Sequence, residues 1–126
     1  MRFYGRRRRA RDLDVLTNNS IENARKLYEA IRAILGYTPT LTIDELSQPC
    51  KKIALAARGP ALDILTSVDG LNFGTAYNKR VSVVENGIEI SVVSRDDLLF
   101  IKRTAVAKDP KRRKKEQADI NFLESL

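Results

Sequence analysis

Arg11-Asp12-Leu13-Asp14-Val15-Leu16 is the stretch on which the fold turns. Its alternation of charged and apolar residues predicts a β-strand over about 11–17. Side chains two apart on a strand share a face, so Asp12 and Asp14 are expected to point together, with Cα atoms roughly 6.6 Å apart. Leu13, Val15 and Leu16 would supply core contacts. Two carboxylates so placed repel each other unless a cation neutralises them, and hard oxygen ligands of this kind suit Mg²⁺. A polar strand end facing solvent fits the same residues.

The residues after this strand set the architecture. Asn19 with Glu22 makes a capping box. Ile21, Ala24, Leu27, Tyr28, Ile31, Ile34 and Leu35 recur at three- and four-residue spacing, so a helix is predicted to Leu35, with Gly36 as its stop. Residues 38–49 form a connection with some β character at Leu41-Thr42-Ile43, and Asp44 and Glu45 can cap a short helical turn. Residues 51–57 and 61–66 are expected to pair as a hairpin across Arg58-Gly59-Pro60. Asp63 interrupts the second of these strands. A carboxylate buried there must be paired, cation-bound or protonated; on an open sheet face it would meet water.

Further on, residues 73–78 suggest a short helix. Residues 80–84 and 88–93 are alternating strands joined through Glu85-Asn86-Gly87, a strong hairpin signal. Ser94 and Asp97 form a second capping box and open a helix with Leu98, Leu99, Ile101, Ala105 and Val106 on its apolar side. Asp109-Pro110 interrupts it. A last helix runs from Lys111 to about Ser125, anchored by Ile120, Phe122 or Leu123, and Leu126. The order of elements predicts an α+β fold, a mixed β-sheet flanked by helices, in a single domain over residues 1–126.

The net charge of +7 is concentrated at two places. Residues 1–11 form a basic arm with six arginines and no acid, and residues 102–115 carry eight Lys or Arg against Asp109 alone. Residues 12–101 hold nine basic and twelve acidic side chains, a local net of −3. Such arms can hold a polyphosphate or nucleic acid, or be solvated ends. The absence of histidine excludes His-based triads and His metal sites. A single cysteine, Cys50, allows no internal disulfide, which fits a reducing, cytoplasmic setting. No apolar run has the length of a membrane span.

Taken together, Arg9-Ala10-Arg11-Asp12-Leu13-Asp14 followed by an amphipathic helix, then Leu62-Asp63-Ile64-Leu65-Thr66, resembles the nucleotidyltransferase superfamily. The likeness is nearest to its small prokaryotic members, the minimal nucleotidyltransferases and toxin–antitoxin or abortive-infection types. Ser94-Arg95-Asp96-Asp97-Leu98 through Lys102-Arg103, and Ala118-Asp119-Ile120 through Leu123, are similar to later segments of that family. The resemblance implies Asp12, Asp14 and Asp63 as Mg²⁺ ligands, with Asp63 also a candidate catalytic base. It implies Arg9, Arg11 and Lys102 as nucleotide contacts, Lys102 alternatively as a structural one. It implies a nucleoside triphosphate as substrate, an RNA or protein acceptor, and a homo-oligomer or a cognate toxin or antitoxin as partner. The family's Gly-Ser or Gly-Gly signature is missing from the eleven residues before Asp12, so a truncated or incomplete member is expected, active or degenerate. Without chemistry, the basic segments would make a nucleic-acid- or partner-binding module.

Overall fold

A computed structural model describes Tyr4 and residues 12–55 and 61–126. The chain divides into two compact units, one over Ala10–Phe73 and the other over Gly74–Leu126 together with Tyr4.

The first unit is built on β1 (Asp12–Leu16), α1 (Ile21–Leu35), α2 (Ile43–Ser47), β2 (Lys52–Leu55) and β3 (Ala61–Leu65). The sheet order is β1-β3-β2, with β1 parallel to β3 and β2 antiparallel to it. The mixed sheet and the β2–β3 pairing agree with the sequence; the Arg58-Gly59-Pro60 turn lies outside the described residues. Helix α1 starts one residue later than expected. Ser20, not Asn19, is the N-cap, its Oγ accepting from the Asn23 N–H at 3.2 Å. Asn18 Oδ1 accepts from the Ser20 N–H and so fixes the approach to the helix. Gly36 ends the helix at φ 76°, and its N–H donates to the Arg32 carbonyl. Leu41-Thr42-Ile43 is not strand: Thr42 caps α2 by accepting from the Glu45 N–H at 3.1 Å. Local side-chain capping there outcompetes weak β propensity.

Ile53, Leu55, Leu62 and Ile64 face one side of this sheet and pack against Ala24, Leu27, Ile31 and Leu46. Both helices therefore cover one face. The sheet's end is tied by threonines. Thr17 N–H donates to the Leu65 carbonyl at 3.0 Å, and the buried Thr66 accepts from the Lys51 N–H at 2.9 Å.

The second unit begins with α3 (Phe73–Asn78), then β4 (Val81–Glu85) and β5 (Ile88–Val92) as a separate two-stranded antiparallel sheet. Asn86 and Gly87 both have positive φ, 53° and 76°, as the tight hairpin turn requires. Helix α4 (Arg95–Lys108) is capped by Ser94, whose Oγ accepts from the Asp97 N–H at 3.2 Å. Asp97 turns its own carboxylate to Lys79, 3.0 Å away. A 3₁₀ turn, Pro110–Arg112, links α4 to α5 (Arg113–Glu124). Leu99, Ile120 and Leu123 form this unit's core, with Tyr4, Leu98 and Val106 packed on it. Tyr4 donates its hydroxyl proton to the Val93 carbonyl. Burial, and then the charges of Asp97 and Asp96, push its phenol pKa up, so it stays a donor.

Candidate functional site

The face of the first unit's sheet that turns away from α1 and α2 carries the charged residues. Asp14 in β1 is the register partner of Asp63 in β3, and Asp63 is in turn opposite Ala54 in β2. Register partners on neighbouring strands lie about 4.8 Å apart and share a face. The parallel pairing thus brings a second carboxylate alongside Asp14 from a strand far along the chain. Asp12 lies opposite Ala61, two residues before Asp14.

The two described carboxylates sit in different surroundings. Asp14 is exposed, whereas Asp63 is 7 % exposed. A buried carboxylate needs a compensating charge. Lys52 supplies it, with Nζ 3.6 Å from Asp63 Oδ2 and its own side chain half in water. Lys52 arrives there because it is two positions from Ala54, on the same face of β2. At 3.6 Å, with the lysine side chain half exposed, this is a loose ion pair.

Two carboxylates in adjacent register are hard oxygen donors of the type Mg²⁺ takes. Among the described residues, no group of three or more Asp, Glu or Cys side chains is gathered to hold a metal ion. The Asp12 side chain is outside those residues, as are Arg9 and Arg11, so the described part of the expected set is the pair Asp14 and Asp63.

Lys102 belongs to the second unit, where its ammonium is engaged from two sides. Nζ lies 2.8 Å from Glu116 Oε2 and 3.0 Å from Asp119 Oδ2. Glu116 also accepts from Arg112 Nη2 at 2.9 Å. Glu116 is 5 % exposed and Asp119 fully buried. Burial alone would raise the Glu116 pKa, but hydrogen bonds and charge from Lys102 and Arg112 outweigh it and hold the carboxyl below its ordinary value. Sequence reasoning missed this cluster, taking the last helix as basic and then apolar. A usable signal was there: Glu116, Asp119, Ile120 and Leu123 fall at helical spacing on one face.

Cys50, with φ 55°, lies just before β2 and is exposed. Its thiol donates to Asp69 Oδ1 at 2.9 Å and its N–H to Ser67 Oγ at 2.7 Å, which fixes the local turn. No helix of the described residues is long and apolar enough to cross a membrane. Comparison with protein-family models, with curated proteins and with solved structures gave no match.

Proposed function

We propose that this chain is a nucleotidyltransferase-like protein that binds Mg²⁺ with a nucleoside triphosphate through Asp14, Asp63 and Asp12. The observation that carries the reading is the Asp14–Asp63 register pair, two carboxylates side by side on the sheet face that the unit's own helices leave uncovered. Asp12 is included on the sequence ground that residues two apart on a strand share a face. The reading also accounts for Lys52, whose ammonium offsets one negative charge of the pair when no other cation does so.

In such a site Mg²⁺ would act as a Lewis acid and align the triphosphate. The chain's own part is to hold the ligands in register and to accept a proton. Asp63, buried beside Asp14, is the group suited to take the proton of an acceptor hydroxyl. Arg9 and Arg11, next to β1 in sequence, would add positive charge for the phosphates. Lys102 is assigned the structural role, because Glu116 and Asp119 already engage its ammonium. The acceptor would be an RNA or a protein, and the setting a cytoplasmic toxin–antitoxin type system or homo-oligomer.

The test is transfer of label from each nucleoside triphosphate, carrying a radioactive α-phosphate, to total RNA and to protein. Label transferred by the wild type and lost in Asp63→Asn supports the proposal. Equal transfer by both, or none by the wild type with any triphosphate, contradicts it.

A further inference from the structure

The turn between α4 and α5 carries positive charge that its own unit does not offset. Lys111, Arg113, Lys114 and Lys115 are all exposed, and among the described residues none is in an ion pair. Their neighbours Lys102 and Arg112, by contrast, are engaged by Glu116 and Asp119. Glu116 is the single acid of the first turn of α5, and its charge is already spent inward.

This placement is locally unfavourable. All five residues from Lys111 to Lys115 are cations, of which, among the described residues, only Arg112 is in an ion pair, so they repel one another, and those on the first turn of α5 also oppose the helix dipole. Yet the backbone of the segment is hydrogen-bonded. Asp109 accepts from the Arg112 N–H through its carbonyl at 2.9 Å and from the Lys111 N–H through Oδ1 at 3.2 Å. Arg112 is pinned on Glu116. A hydrogen-bonded turn that keeps like charges together against local preference is a local conflict of the kind expected at a functional surface.

The chemistry of the surroundings narrows the partner. No large apolar side chain is exposed between Lys102 and Ser125, and exposed Phe100 and Leu126 lie outside the cationic turn, so the turn itself has nothing to insert below lipid headgroups. Protein interfaces are depleted in lysine and anchored by aromatic residues, and residues 101–121 contain no aromatic. A phosphodiester backbone needs only closely spaced cations. With no aromatic to stack on bases, contact would be sequence-independent.

We infer that Lys111, Arg113, Lys114 and Lys115 form a docking surface for the phosphodiester backbone of a nucleic acid. The inference does not depend on the carboxylate site, and its test involves no metal or triphosphate.

The full chain is titrated into a fluorescently labelled single-stranded RNA of mixed sequence, and into the corresponding DNA, at several salt concentrations. Two triple variants are compared: K111Q/K114Q/K115Q and R25Q/K26Q/K51Q. The second removes equal charge from exposed cations of the other unit. The first is expected to weaken binding about 10-fold or more at low salt. It should also flatten the slope of log affinity against log salt by about 2, at roughly 0.7 for each lost phosphate contact. The second should change affinity less than about 3-fold. RNA and DNA should bind alike. K111Q/K114Q/K115Q should also melt a few degrees higher than the wild type, because repulsion is relieved. Equal losses in both variants, an unchanged slope, or a lower melting temperature would overturn the inference. So would binding to phosphatidylserine vesicles that is tighter than binding to RNA.

Discussion

Replacing Lys102 by methionine should destabilise the second unit severely while leaving its shape able to form. Methionine keeps the length and apolar stem of lysine but removes the charge. Lys102 is 15 % exposed, and its partners Glu116 and Asp119 are 6 % and 0 % exposed at the side chain. Removing one partner of a buried ion pair leaves an uncompensated charge and costs roughly 3–5 kcal/mol. Arg112 still holds Glu116 at 2.9 Å, which favours the lower end, about 3 kcal/mol. That corresponds to a fall in melting temperature on the order of 10 °C or more for a unit of this size. Urea denaturation followed by far-ultraviolet circular dichroism, with hydrogen exchange on the α4 and α5 amides, would measure it. The double variant K102M/D119N should regain much of the loss, because Glu116 keeps its pair with Arg112 and no charge is then stranded. A loss below about 1 kcal/mol for K102M would refute the reasoning. It would return Lys102 to the candidates for a phosphate contact, where nucleotide affinity falls and stability does not.

Two other outcomes are expected from the same geometry. Glu116 titrates below its ordinary value of 4.5, so its stabilising contribution is full above that value and is lost as pH falls through the lower folded value. Denaturation midpoints measured below about pH 4.5 should therefore fall steeply in the wild type and less steeply in Glu116→Gln. Gly87 sits at φ 76° with no atom within 4 Å of where a Cβ would lie. Gly87→Ala should thus cost only backbone strain, about 1 kcal/mol, read as loss of hydrogen-exchange protection in β4 and β5.

The local devices of this fold were legible in the sequence. Ser94 before an apolar period, Asn86-Gly87 between alternating runs, and Gly36 after a helical stripe each fix geometry through neighbouring atoms. Their positions agree with expectation. Asn19 is the expected cap of α1, but the Asn18–Ser20 hydrogen bond and the Asn23 N–H donated to Ser20 Oγ put the cap one residue later. Asp12, Asp14 and Asp63 stood out because charge inside apolar strands is unusual. Their register did not, because pairing β1 with β3 depends on which hydrophobic face meets α1 and α2, a property of the packed unit. The Lys102 cluster was hidden for a related reason. Its partners lie 14 and 17 residues away, and in a segment rich in lysine and arginine two acids read as solvated charges until the helices are set side by side.

Binding of a divalent cation by Asp14 and Asp63 together is the property on which the proposed function rests. Isothermal titration of Mg²⁺ into the wild type, Asp14→Asn and Asp63→Asn tests it directly, with circular dichroism confirming that each variant is folded. The predicted result is a saturable heat in the wild type and binding at least about 10-fold weaker in both variants, as expected when a charged ligand of a hard cation is removed. Three indistinguishable titrations, with or without heat, would contradict it.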